Sequence, residues 1–116
     1  MKVVYHIDEM GKWDLLLANV RNMCAFYEAA GHAATIEVVA NAAAVRALTR
    51  EAARASGRSA AFAALQEAGV LLAVCANALA ANGVGADALV PSAHVVPAGV
   101  VELAQRQQEG YAYIKP

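Results

Sequence analysis

The chain has 116 residues, 59% of them hydrophobic and 16% charged, with a net charge of −1 at neutral pH. That length reads as one domain, residues 1–116, with enough chain to bury a core. The apolar content excludes disorder, and the near-neutral charge leaves little pull on nucleic acid. No charge falls between Glu67 and Asp87, but Gly69, Asn77, Asn82, Gly83 and Gly85 interrupt that interval, so it is too short and broken to cross a bilayer. Asp8 and Glu9 arrive before any apolar run of signal-peptide length. Cys24 and Cys75, far apart in sequence, make neither a disulfide framework nor a metal cluster. The expectation is a soluble cytoplasmic domain with no metal or organic cofactor.

In chain order, Lys2-Val3-Val4-Tyr5-His6-Ile7 is β-branched and apolar and predicts a first strand closing at Asp8. A long helix is predicted from about Trp13 to Ala30, with Leu16, Val20, Met23 and Tyr27 recurring at three- and four-residue steps and Gly31 as its stop. Thr35-Ile36-Glu37-Val38-Val39 predicts the second strand, ending at Ala40-Asn41, and a short helix follows around Ala43–Leu48. The charged stretch from Arg50 to Arg58 contains Ser56 and Gly57 and is expected to be a mobile loop. Arg46, Arg50, Arg54 and Arg58 recur at steps of four and would line one helical face as an anion patch, but Glu51 interrupts them and a solvated face is the expectation. A third helix from about Ser59 to Ala68 stops at Gly69.

The run Val70-Leu71-Leu72-Ala73-Val74-Cys75 is apolar without alternation, as a parallel strand covered on both faces should be, and reads as the central strand. Ala76-Asn77-Ala78-Leu79 continues it as a helix, broken at Asn82-Gly83-Val84-Gly85. Ala93-His94-Val95-Val96, bracketed by Pro91 and Pro97, is the fourth strand. The last helix runs from Gly99 to Gln108, with Val100, Leu103 and Ala104 inward and Gln105, Arg106 and Glu109 outward. After Gly110, Tyr111-Ala112-Tyr113-Ile114-Lys115 predicts a short final strand. Strands alternating with helices give an α/β fold, a parallel sheet inside a three-layer α/β/α sandwich.

Parallel order sends every strand's carboxyl end to one edge, where His6, Asp8, Asn41, Cys75, Asn77 and the Pro97-Ala98-Gly99 turn are expected to converge. Cys75, at a strand end and a helix start, meets unpaired N–H groups and the positive end of a helix dipole, which favour a thiolate nucleophile. His6 is expected as the catalytic base or cation that moves its proton, with Asn41 and Asn77 as amide donors. The plainer alternative makes Cys75 a core cysteine and His6 a strand-end cap. Cys24 and Trp13 are expected to pack, His32 to sit in a turn and His94 to be structural. Asn19 and Asn22 share a helix face, where amide bonds to loops are expected. Dinucleotide, phosphate-loop, Cys-x-x-Cys, zinc-hydrolase and serine-hydrolase signatures are missing.

The chain resembles the DsrE/DsrF-like family along nearly all its length. The likeness is carried by Val3-Val4-Tyr5-His6-Ile7-Asp8, Asn19-Val20-Arg21-Asn22 and Ile36-Glu37-Val38-Val39-Ala40-Asn41, then by Cys75-Ala76-Asn77-Ala78-Leu79 and Val95-Val96-Pro97-Ala98-Gly99-Val100. The ending Gln107-Gln108-Glu109-Gly110-Tyr111-Ala112-Tyr113-Ile114-Lys115-Pro116 carries it furthest. The resemblance implies a five-stranded parallel α/β/α sandwich that assembles into homotrimers or hexamers, here in a compact stand-alone form.

It also implies a sulfur carrier or sulfurtransferase-like protein holding sulfane sulfur as a persulfide at the position of Cys75, with Asn77 and His6 as pocket residues. Sulfur donor and acceptor proteins would be its partners. The competing expectation is a non-catalytic oligomeric module binding a small ligand between subunits. A thiol-based redox sensor is a third reading, weakened by the lack of a nearby resolving cysteine.

Overall fold

In a computed structural model describing residues 1–116, the alternating segments form β1 (Lys2–Ile7), α1 (Trp13–Ala29), β2 (Thr35–Ala40), α2 (Arg50–Ser56) and α3 (Ser59–Glu67). They continue as β3 (Leu71–Cys75), α4 (Ala76–Ala81), β4 (Ala93–Val96), α5 (Gly99–Gln108) and β5 (Ala112–Ile114). A 3-10 helix, Ala42–Leu48, joins β2 to α2. All strand pairs are parallel and the sheet runs β4-β3-β2-β1-β5. The middle place belongs to β2 rather than to β3. A run buried on both faces has the same composition in any interior strand, so the apolar stretch before Cys75 did not distinguish the two positions.

The segment expected to be a mobile loop is α2. Thr49 caps it, its Oγ1 accepting the Ala52 N–H at 3.0 Å, and Gly57 closes it. Ala52, Ala53 and Ala55 supply helix propensity between the arginines, and the buried Ala53 fixes its inner face. The four arginines do not share one face. Arg46 belongs to the 3-10 helix, Arg50 donates to the Asp87 and Leu89 carbonyls, and Arg58 pairs with Asp14 at 2.9 Å.

The two faces of the sheet are covered unequally. One carries a cluster of 25 buried residues drawn from the sheet, α1, the 3-10 helix, α2, α3 and α4. At its centre Trp13 is fully buried, donates from Nε1 to the Ala44 carbonyl at 3.0 Å and stands edge-on to Phe62. The other face has only α5, and its core is Val4, Val39, Ala73, Val96 and Leu103.

Because α5 has no layer outside it, Val100 and Ala104, expected inward, are exposed. Arg106, expected outward, turns in to Glu37, with Nε 2.7 Å from Oε2. Glu37 is 2% exposed beneath α5, and Glu102 and Glu109 also bond Arg106. Burial first, then the hydrogen bond with Glu102, push the Glu37 carboxyl up to about 7, against the pull of Arg106. No helix is long and apolar enough to cross a membrane.

Candidate functional site

Adjacent strands β3 and β4 hand the chain to opposite faces. β3 leads into α4, whose Ala78 and Leu79 join the larger cluster, whereas β4 leads into α5 on the thin face. Their carboxyl ends therefore part, and in open parallel sheets such a divergence is where ligands bind. Cys75 and Val96 stand opposite each other across it.

Cys75 ends β3 and caps α4, its Sγ accepting the Ala78 N–H at 3.4 Å, and it is 7% exposed. The first residue of α5, Gly99, lies against it. A Cβ at Gly99 would stand 3.2 Å from Asn41 Cβ, 3.3 Å from Cys75 Cβ and 3.4 Å from Val39 Cγ1. The missing side chain is thus what lets α5 start directly over the cysteine and Asn41. Gly99→Ala is expected to cost about 1–2 kcal/mol in urea unfolding, since three rigid neighbours must shift together. Gly11→Ala, whose added methyl would meet nothing within 4 Å, is the matched control and should stay within about 0.5 kcal/mol of wild type.

His6 and Asn41 meet as expected, and a residue that sequence reasoning missed completes them. His6 Nε2 lies 2.9 Å from Asn41 Oδ1 and Nδ1 lies 2.6 Å from the Tyr113 hydroxyl. An amide oxygen only accepts, so Nε2 donates to Asn41, while Nδ1 shares a hydrogen bond with the Tyr113 hydroxyl. Both ring nitrogens are then occupied.

Asn41 is held from its other side by the backbone. Ala42 adopts a left-handed φ of 50°, uncommon for a residue with a Cβ, and Asn82 Nδ2 donates to its carbonyl at 3.2 Å. Tyr113, His6, Asn41 and Cys75 thus form a line across the sheet edge from β5 to β3.

The remaining expected residues stand around this line. Asp8 pairs with Lys115 at 3.1 Å, a contact that raises the Lys115 ammonium above its ordinary value. Asn77 and Pro97 are exposed. His32 and His94 are exposed and outside the line, and Asn22 is exposed while Asn19 is half-buried. Cys24 is half-buried against the core, and burial, then Glu28, push its thiol up, the signature of an unreactive packed cysteine. No three His, Cys, Asp or Glu side chains gather to hold a metal ion.

None of the three cavities of the molecule is lined by Cys75, His6 or Asn41. The site is an open edge instead, and beside it Val100 and Val101 of α5 are 66% and 52% exposed.

The signal for Tyr113 was the alternation Tyr111, Tyr113 in a strand ending close to the chain terminus. It became a site signal only through the register Val4↔Tyr113, which puts β5 beside β1.

A family model described as the DsrE/DsrF-like family matches residues 13–116. Among solved structures, a protein of unknown function from Methanobacterium thermoautotrophicum, MTH1491, is 38% identical, with a TM-score of 0.86 over 99% of this chain and 98% of that one. BT1422 from Bacteroides thetaiotaomicron, likewise of unknown function, shares the fold at 11% identity, with a TM-score of 0.68 over 99% of this chain and 94% of the other. No curated protein matches.

Proposed function

The chain belongs to the DsrE/DsrF-like family, and on that premise we propose that it is a sulfur carrier that holds sulfane sulfur as a persulfide on Cys75. The observation that supports the reading best is the place of Cys75. It is the one cysteine at the parting of β3 and β4, hydrogen-bonded through sulfur to the first turn of α4 and facing the fixed amide of Asn41 across Gly99.

The loading step is a displacement. The Cys75 thiolate attacks the outer sulfur of a persulfide donor, a Cys75 S–S bond forms, the donor S–S bond breaks, and the donor leaves as a thiolate. Unloading reverses this on an acceptor thiolate, so neither step needs an oxidant. The Ala78 N–H, already on Sγ, donates to the anionic sulfur. Asn41 is the second donor in this reading: its oxygen is taken by His6, which leaves its NH2 group free. His6, with both nitrogens engaged, serves as a positioning residue through Asn41, and Tyr113 fixes His6. The exposed Val100 and Val101 next to the site fit a homo-oligomer, a trimer or hexamer, in which a second copy covers the open edge. A cytoplasmic location suits a carrier whose thiol must stay reduced.

Intact-protein mass spectrometry after incubation with polysulfide or thiosulfate tests the proposal. Wild type and Cys24→Ser are expected to gain one sulfur atom that reductant removes, and Cys75→Ser to gain none. With thiosulfate the departing group is sulfite. A wild type that gains nothing, with Cys75 slow toward an alkylating probe, overturns the carrier reading. That result would favour the second reading, a ligand-binding module with Cys75 as filler, which the 7% exposure of the thiol supports.

A further inference from the structure

At the other end of the sheet from Cys75 lies a cavity of about 490 Å³, walled by α2, one side of α3 and the segment leading into β4. The ends are opposite because Ser92, in the cavity wall, directly precedes β4, whereas Cys75 pairs with Val96, the last residue of that strand. Arg50, Arg54, Ser59 and Ser92 line the cavity along with Phe62 and Val90, and no carboxylate does.

The two guanidiniums are not neutralised elsewhere. Every ion pair of the protein uses Arg58, Arg106 or Lys115. Arg50 is braced through Nη1 alone, donating to Asp87 O at 2.7 Å and Leu89 O at 3.1 Å, so its remaining N–H groups stay available. Arg54 stands one turn further along α2 and is exposed. Ser92 Oγ is buried without any hydrogen-bond partner, so turning its hydroxyl to the cavity breaks no bond and gains one to a ligand there. Ser59 is the first residue of α3, whose opening N–H groups no side chain caps.

We propose that this cavity binds a small organic phosphate. Its phosphoryl group lies between the guanidiniums of Arg50 and Arg54 and the hydroxyls of Ser59 and Ser92, and its organic part rests on Val90 and Phe62. Two forked guanidiniums, two hydroxyls and a helix start supply more donors than a carboxylate has lone pairs to fill, whereas a phosphoryl group presents three strong acceptor oxygens and up to two charges. The apolar wall is what distinguishes an organic phosphate from the bare ion. This site is independent of the sulfur chemistry and stands or falls separately from it.

Phenyl phosphate is the probe, titrated into the full chain and followed by amide chemical shifts and by calorimetry. Saturable shifts are expected at Ser59, Phe62, Val90 and Ser92, with affinity falling as salt rises. Arg54→Gln, an exposed helix position whose change leaves the thermal melt in place, should weaken binding by about tenfold or more, the loss expected of one charge-assisted bidentate contact. Ser92→Ala should weaken it a few-fold. Shifts that fail to saturate at millimolar probe, or an Arg54→Gln variant that binds like wild type, overturn the proposal. Benzoate binding as tightly as phenyl phosphate overturns the phosphoryl assignment, and inorganic phosphate binding as tightly overturns the organic half.

Discussion

Arg106→Met is expected to melt about 10 °C below wild type at about pH 8.5 and only about 3 °C below it at about pH 5, a difference of about 2 kcal/mol. The asymmetry comes from Glu37, whose Oε2 takes the Arg106 Nε–H at 2.7 Å while its Oε1 is buried with no donor. As a carboxylate it depends on Arg106, and without that partner a charge remains beneath α5. As an acid it carries no charge to leave unpaired, and the loss of Arg106 removes chiefly the packing of its stem and its place 5.4 Å over the Tyr111 ring.

The same group sets a pH trend in the wild type. Its carboxyl titrates near its ordinary 4.5 in the unfolded chain and near 7 in the folded one, so folding favours the protonated form. That contribution is fully present below about pH 4.5 and disappears as the pH rises through about 7. Glu37→Gln, which keeps the shape and accepts from Arg106, should flatten the trend. Melts of the three proteins across this range check both statements, and equal losses for Arg106→Met at the two pH values would remove Glu37 from the account.

Trp13→Ala is expected to cost about 4 kcal/mol, the upper range for a fully buried aromatic. It opens a void between α1 and the 3-10 helix, removes the edge contact with Phe62 at 5.3 Å and leaves the Ala44 carbonyl without its indole donor. Trp13→Phe separates these terms. It keeps most of the volume and loses the donor, so about 1–2 kcal/mol is expected. Because Trp13 is the single tryptophan, far-ultraviolet dichroism in urea is the measurement for both variants. Ala44 lies three residues past Asn41, so the more damaging substitution also loosens the turn that presents the Asn41 amide.

Elements whose hydrophobic period agrees with their burial were legible in the sequence. β1 and the start of α1 at Trp13 are read directly, β4 is delimited by Pro91 and Pro97 although Val95 is exposed, and Cys75 falls at the strand-to-helix junction where its apolar run predicted it. Where the reading failed, the deciding fact was non-local. Thr49 and the alanines favoured a helix over Arg50–Ser56, but the arginines and Ser56-Gly57 read as a loop until capping and the burial of Ala53 outweighed them. Val100 and Arg106 exchanged their expected sides because no second helix lies on α5 and because Glu37, one charge within an apolar run, required a cation. That charge inside Ile36-Glu37-Val38 was a visible signal of a buried polar network. For Tyr113 the alternation alone did not point to the site, since only the non-local pairing of the last strand with the first sets it beside His6.

The thin face also decides how the molecule opens. α5 packs its Leu103 on four buried sheet residues, Val4, Val39, Ala73 and Val96, and the three residues of β5 pair with β1 only. Residues 99–114 are therefore the unit most easily detached while the rest of the sheet stays folded, and their amides should exchange with solvent ahead of those in β1 to β3. Such an opening takes Tyr113 from His6, Lys115 from Asp8 and Gly99 from above Cys75 in one event. The imidazole then regains a free nitrogen and the thiol its access to solvent. The covered sulfur and the fully bonded histidine are therefore expected to be released together whenever the carboxyl-terminal segment departs.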